Sequence, residues 1–596
     1  MADAKIVDVT VGRPLPDRLT VHLTEPVRAG CLLRIRGGDL PAAMSMKLSA
    51  VRAGGRELAV VHRHSMEDQL ANWDFYTTTF TMAVVLVDAD LPAGTPLELD
   101  ISARPAGVSG VTWTVSAGLV DDPRSLKFRC VSDSPGIRFL AGQPKYIEAC
   151  LKAPATVSVE QFDALGNPAQ SDGATINVTA GGRDVDVEPT AGLPATRIEL
   201  PWAAAVRALR ASVTDSAGRS AATNARPVTD DGEKIYFGEI HWHCHVSCDG
   251  ERDLAEALTS ARDELCLDFA GPADHMNCDG RYYTPLTTRY QADVCRSFDE
   301  PGRFCTIPGA ELGGRGGHAN VYCDSFETFL GVTDRFEAEL QPLFRTHLFN
   351  FRALSRICPA GKAVVAPHHP NANSGGVGSS DRRPLWNAIH WPMPADRKAV
   401  RLLEIVQASG AYETEEADEK WRIRVAGLGG SARTALMRGY RLGFTGATDN
   451  HSGWPARGRG TERVGLTAVL ARKLDTKSIF KALHARRCYA TSGPRIVAWA
   501  TCNGRPMGSE LKLAIDDRPE LCISIHGTAP LTHVQIVHMG YVLADLPVQK
   551  DCLDFDATWA DERPGRPLDD AYYYIRARQQ DGHCVWLSPF WIDLKE

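Results

Sequence analysis

Three histidines alternate with Trp242 and Cys244 in the stretch Gly238-Glu239-Ile240-His241-Trp242-His243-Cys244-His245, and Ser247-Cys248-Asp249-Gly250 follows. The residues before it, Lys234-Ile235-Tyr236-Phe237, read as the start of a strand. Alternate side chains of a strand share a face, so His241, His243 and, if the strand runs on, His245 point one way. Asp249 is placed to return a carboxylate from the loop beyond. Imidazoles and carboxylates without a nearby CxxC suit zinc, manganese or iron.

The same kind of signal recurs downstream. An apolar run ends in Ala273-Asp274-His275. Pro308-Gly309-Ala310-Glu311 and Gly317-His318-Ala319-Asn320-Val321 follow, then Pro367-His368-His369-Pro370 and Asp449-Asn450-His451. The expected ligand set is His241, His243, Asp249, His275, Glu311, His318, His369, Asp449 and His451. That is more than one zinc needs and enough for two or three divalent cations. Glu311 is the natural bridge, because its two oxygens can span two cations. His369 is preferred over His368 because Pro370 ends the strand there; His368 is kept as a supporting group or substrate contact. His245 reads as a neighbour of the site, and His347 and His390 as structural or surface residues. Any single member of the set is ordinarily a satisfied polar residue. Ten of the eighteen histidines fall between 241 and 451, however, and burying so many ionisable groups without a cation is costly.

The elements that must position these residues alternate. Asp253 is placed to cap a helix carrying Leu254, Ala257, Leu258, Ala261 and Leu265 on one face. Apolar strands around 267–272, 305–311, 362–368, 400–406 and 442–449 alternate with helical stretches such as Ser431 to Arg438. This predicts a parallel α/β architecture, with ligand residues at the C-terminal strand ends where barrel active sites lie. The flanks read as all-β: short alternating runs punctuated by Gly and Pro. The expected organisation is a β-sandwich over 1–120, a second, Ig-like β-sandwich over 121–230, a metal-binding (β/α) barrel over 231–494 and a small C-terminal β-sandwich over 495–596. His62 and His64 form a second HxH, read as strand residues.

Taken as an ordered set, the HxH with Ser247-Cys248-Asp249-Gly250, Ala273-Asp274-His275, Pro308-Gly309-Ala310-Glu311, His369-Pro370 and Asp449-Asn450-His451 resembles the PHP superfamily, named for polymerase and histidinol phosphatase domains. Gly439-Tyr440-Arg441-Leu442-Gly443-Phe444, Arg487-Cys488-Tyr489-Ala490-Thr491-Ser492-Gly493 and Trp586-Leu587-Ser588-Pro589 resemble a large, poorly characterised branch of it. The resemblance covers residues 235–596. It implies a multidomain α/β plus all-β protein with a distorted (β/α)7 TIM-like barrel, two or three cations and phosphoesterase activity. Glu239 departs from the Asp that the family often has there, and reads as a supporting residue.

The expected chemistry is a metal-activated hydroxide attacking phosphorus in line, with Asp449 in the catalytic set and a guanidinium on the phosphoryl oxygens. Arg315, in Gly313-Gly314-Arg315-Gly316-Gly317, is the first such arginine; Arg457 and Arg459, then Arg281, follow. Two alternatives stand beside it. The same site could act as hydrolase or lyase on an ester, amide or glycoside-type substrate, or the chain could be a carbohydrate-binding or scaffold protein with a relic barrel. Trp386, Trp391 and Trp421 are open to stacking on a ligand or to packing.

At 596 residues the chain exceeds one core, and its 44% hydrophobic and 23% charged content is that of a globular protein. A net charge of -7 without a basic run gives no reason to expect nucleic acid or an anionic membrane. The expected partner is a small, phosphorylated molecule; oligomeric state is open. No apolar run reaches membrane-spanning length and no secretory signal is read, so the sixteen cysteines are expected as reduced thiols in a cytoplasmic protein.

Overall fold

A computed structural model describes residues 6–594 except 14, 16, 39–45, 64–78, 104–111, 122–128, 190–191, 248–249, 251, 277–284, 315–316, 341–350, 369, 371–390, 392, 394, 409, 415–429, 458–463, 515 and 564–569. Strands dominate. The N-terminal part is a two-sheet sandwich closed over Val21, Leu33, Val85, Leu97 and Trp113. Its larger sheet takes in Gly136–Leu140, well past residue 120, which pairs parallel with Ile6–Thr10. That long-range pairing leaves no mark in local composition. A second sandwich packs Tyr146–Lys152, Thr156–Phe162 and Ala195–Glu199 against the sheet containing Ile176–Ala180 and Ala211–Asp215.

The central region is built on strands of three sheets. β1 (Lys234–Glu239) pairs parallel with β2 (Phe269–Ala270), and β2 pairs parallel with β3 (Cys305–Thr306). β4 (Gly309–Gly314), β5 (Gly317–Cys323) and β6 (Ala363–His368) form an antiparallel sheet. β7 (Leu402–Gln407) and β8 (Gly443–Gly446) pair parallel. β9 (Leu466–Ala471) runs antiparallel to β1 and to β10 (Cys488–Thr491). Single parallel bridges, His275 to Glu311, Val365 to Val400 and Trp242 to Asn450, stitch neighbouring sheets together. The alternation expected from the sequence is therefore only partly parallel. The short connection between β4 and β5 can only join antiparallel neighbours, since a parallel crossover needs a dozen or more residues.

Two of the helices fall where the sequence predicts them, after Asp253 and after Ser431. α1 (Leu254–Thr259) is capped by Asp253, whose carboxylate accepts from the backbone of Ala255 at 2.8 Å, and it buries Leu254, Ala257 and Leu258. Full burial of each leucine contributes about 2 kcal/mol. α2 (Pro285–Phe298), α3 (Phe326–Arg335), α4 (Phe351–Ile357), α5 (Ala432–Met437) and α6 (Thr476–His484) follow. Ser431 caps α5 through its hydroxyl.

The C-terminal β region does not begin as a separate body. Cys584–Leu587 pairs with β10, so one sheet runs from β3 across β1, β9 and β10 into the C-terminal strands. Ile235, Phe237 and Leu470 share a core with Leu521, Ile575 and Phe590. The second sandwich is pinned by ions on both sides: Lys152 meets Asp268 at 3.0 Å, and Arg210 meets Asp554 at 2.8 Å. Among the described residues no helix is long and apolar enough to cross a membrane.

Candidate metal centre

The three central sheets converge on Glu311. Its Oε2 lies 3.4 Å from His241 Nε2 and 3.3 Å from His243 Nε2. Its Oε1 faces His275 Nδ1 at 3.4 Å, His368 Nε2 at 3.3 Å and His318 Nδ1 in closer contact. Asp449 Oδ1 sits 3.3 Å from His241 Nε2 and 3.2 Å from His243 Nε2. His451 completes the group, its ring 4.2 Å from that of His243. Three overlapping sets result: His243, His275 and His451; His241, His243, Glu311 and Asp449; His275, Glu311 and His318. Within each set the potential ligand atoms lie within 4.8 Å of one another. Nitrogen and carboxylate oxygen donors at this density fit zinc, manganese or iron.

Register explains the convergence. On β4 and β5, Gly313 stands opposite His318 and Glu311 opposite Asn320, and His318 stands opposite His368 on β6. Residues directly opposite share a face, so Glu311, His318 and His368 project to the same side. β6 runs through Pro367 to His368, which places His368 in the cluster where the sequence reading favoured its neighbour. His369, Asp249 and Arg315 lie outside the described residues, as do Arg281, Arg459, Trp386, Trp421, His64, His347 and His390.

A further layer of polar groups holds the ligands. Glu404 Oε2 takes Nδ1 of His241 at 2.7 Å, which turns Nε2 toward Glu311 and Asp449. Gln407 donates to Glu404 at 2.7 Å and to Asp449 at 3.1 Å. Asp274 accepts from the backbone of Cys244 at 2.8 Å and Ser247 at 3.1 Å, fixing the turn after His243. Glu239 does not reach the cluster; it accepts from Thr448 N at 3.0 Å and Ala456 N at 2.6 Å. Sequence reasoning missed Glu404 and Gln407. The signal was available: a lone carboxylate inside the apolar run Leu402-Leu403-Glu404-Ile405-Val406 has to have a buried partner.

Electrostatics follow from crowding. Burial opposes charge on His241, but Glu404 and Asp449 outweigh it and hold the imidazolium well above its usual range. Burial likewise pushes Glu311 up, yet His275, His368 and His318 bring it well below the usual carboxylate range. Burial pushes Glu239 up to about 8, outweighing the hydrogen bonds from Ala456 and Thr448 and the nearby charge of His241. Exposure grades across the cluster: His241 and His368 side chains are fully buried, while His318 is 21% and Asp449 15% exposed. The open side is therefore that of Asp449, His275 and His318.

Other sequence candidates lie elsewhere. His245 accepts from Leu254 N at 3.2 Å, outside the cluster. Arg457 is buried and directed at Phe162 and Gly166, not at the open side. Trp391 is buried, donates to Gly430 O at 2.8 Å and packs on Tyr440. A cavity of about 580 Å³ shares no residue with the cluster; Arg207, Glu233, Arg487, Trp499 and Ser524 line it.

No family model matches the chain. An uncharacterised protein of Chlamydia muridarum (strain MoPn / Nigg) is 34% identical over 394 residues, 61% of this chain and 58% of that protein. One from Chlamydia trachomatis serovar D is 26% identical over 385 residues, again 58% of its length. The chain thus matches under two thirds of the length of these relatives. Among solved structures, a two-domain protein containing a predicted PHP-like metal-dependent phosphoesterase from Bacteroides vulgatus is similar at 14% identity and a TM-score of 0.30, covering 61% of this chain and 97% of its own. A two-domain fibronectin type-III segment of chicken tenascin is similar at 12% identity and a TM-score of 0.11, covering 36% and 93%.

Proposed function

We propose that the chain is a metal-dependent hydrolase, and specifically a phosphoesterase of the PHP type built on a distorted (β/α) barrel. The observation that carries the reading is Glu311: one oxygen faces His241 and His243 while the other faces His275, His318 and His368. A single buried carboxylate between two groups of imidazoles is the arrangement of a bridging ligand. His241, His243, His275, Glu311, His318, His368, Asp449 and His451 would hold two or three cations, with Asp249 and His369 as further ligands.

Zinc, manganese or iron bound there would supply Lewis acidity toward phosphoryl oxygens and a nucleophilic water near neutral pH. The chain's own residues do the rest. Glu404 keeps a proton on Nδ1 of His241 and presents Nε2 to the centre. Gln407 holds Asp449 Oδ2, leaving Oδ1 toward His241 and His243. The buried floor at His241 and His368 excludes bulk water, and substrate enters from the side of Asp449 and His318. Arg315, in the segment joining β4 to β5, binds the remaining phosphoryl oxygens in this reading.

The test is turnover of p-nitrophenyl phosphate, bis-p-nitrophenyl phosphate and p-nitrophenyl acetate by protein reconstituted with each metal, beside Asp449→Ala. Phosphoester hydrolysis that disappears in Asp449→Ala supports the reading. Turnover of the acetate alone, or activity that survives the substitution, overturns it.

A further inference from the structure

We propose that Arg457 is a positioning residue for the metal centre, through which the second sandwich sets the Asp449–His451 segment. The inference rests on the metal-centre reading above.

The segment that carries Asp449 and His451 has little regular structure of its own. Its form is held by Asn450. The Asn450 side-chain nitrogen is 2.7 Å from Thr448 Oγ1, 2.7 Å from Trp454 O and 3.0 Å from Arg457 O. The backbone of the segment is tied to the first histidine strand, since Asp449 N donates to His241 O at 2.9 Å and His243 N donates to Asn450 O at 2.8 Å. The far end of the loop therefore fixes the near end: wherever Trp454 and Arg457 sit, Asn450 and its two flanking ligands must follow.

Glu239 holds that far end at Ala456 N at 2.6 Å and Ser260 holds Trp454 Nε1 at 2.8 Å, and Arg457 ties it to the second sandwich. Arg457 is 1% exposed. Its guanidinium lies 4.7 Å from the ring of Trp454 and 5.2 Å from the ring of Phe162, and it donates to Gly166 O. Phe162 and Gly166 belong to the second sandwich. Gly166 stands in a turn made rigid by Asp163, whose Oδ1 accepts from Leu165 N at 2.8 Å and Asn167 N at 2.9 Å. A buried guanidinium has few places where its donors are satisfied, and leaving it unpaired is strongly unfavourable. A planar cation between two aromatic faces, with a carbonyl at its edge, has one such place. The sandwich turn thus holds Arg457, Arg457 adds a hold on the loop beside those of Glu239 and Ser260, and the loop carries Asp449 and His451.

The alternative is that Arg457 only glues two domains together. Zinc affinity, measured by chelator competition on the full chain at a temperature where every variant is folded, separates the two. Arg457→Ala and Phe162→Ala are expected to weaken zinc binding by about tenfold or more, the usual effect of losing a support behind a ligand. Arg457→Lys, which keeps the charge but not the planar fork, is expected to fall between. Arg219→Ala, which breaks ion pairs to Asp215 and Asp172 inside the same sandwich, controls for lost stability and is expected to leave affinity unchanged. Hydrogen exchange of the 448–456 amides, read without metal, should accelerate in Arg457→Ala and Phe162→Ala and not in Arg219→Ala. Unchanged zinc affinity and exchange in Arg457→Ala, with only a lower Tm, would overturn the proposal. Wild-type protein that binds no zinc, with exchange still accelerated in Arg457→Ala, would instead remove the metal-centre reading and leave Arg457 as a clamp on the loop.

Discussion

Glu404 and His241 meet at 2.7 Å at the bottom of the cluster, both fully enclosed, and this one contact orients the imidazole that faces Glu311 and Asp449. A carboxylate only accepts, so the proton lies on Nδ1 and Nε2 is the donor atom offered to a cation. Glu404→Ala should lower zinc affinity by about ten- to a hundredfold. Glu404→Gln, which can still accept through its carbonyl oxygen, should lose less. Chelator competition checks the order, and equal losses in the two variants would refute it.

Protons and cations compete for the same nitrogens. The folded His241 titrates well above its usual range because Glu404 and Asp449 outweigh burial, so the metal-free imidazole carries its proton at neutral pH. Zinc has to displace it. Affinity should rise as pH is raised from about 6 to 8, and calorimetry in buffers of different ionisation enthalpy should detect proton release. For the metal-free chain the sign reverses. A raised folded pKa contributes stability below the unfolded value of about 6.5 and loses it as pH climbs through the folded value. Tm of metal-free protein should therefore gain from Glu404 and Asp449 mainly at the acid end, a gain absent from His241→Ala.

Much of this was legible in the sequence because ligand-type residues end apolar strands. Strand-end placement together with the ordered motifs groups His241, His243, His275, Glu311, His318, Asp449 and His451 in sequence, and the structure brings them together. What was not legible depends on register and on contacts between distant segments. His368 stands opposite His318, a register that the local pattern cannot decide. Arg457 ranks behind Arg315 as a phosphate ligand in sequence, and its partner Gly166, almost three hundred residues away, cannot be read there. Cys584–Leu587 joins β10 across the boundary drawn at residue 494, a pairing between segments almost a hundred residues apart. Glu404 is legible in the sequence as a charge inside an apolar strand, which requires a buried partner.

Acid should weaken the C-terminal β region through Asp561. Burial opposes its charge, but Arg563 and Tyr573, which donate at 2.7 Å and 2.6 Å, outweigh burial and hold the carboxyl well below the usual range. A depressed folded pKa contributes stability that is present above the unfolded value of about 3.9 and is lost as pH falls through the folded value. Asp561→Asn should lower Tm at pH 7, and the gap to wild type should close as pH falls below about 4. A gap that stays constant would rule the mechanism out.

Asp449 adopts φ of +53°, in the left-handed region that Asn and Asp tolerate and most other residues do not. Backbone tolerance and charge can therefore be separated at one position. Asp449→Asn keeps a side chain suited to that conformation, so its metal-free Tm should fall only by the lost pairing with His241 and His243, yet it should lose bound metal, because a neutral amide replaces the carboxylate between them. Asp449→Val removes the charge and adds a β-branch at positive φ, a strain of about 1–3 kcal/mol. It should lose metal to the same extent and fall clearly below Asp449→Asn in Tm. Equal Tm for the two would show that the left-handed conformation is not enforced by the fold. Full metal retention in Asp449→Asn would remove Asp449 from the ligand set.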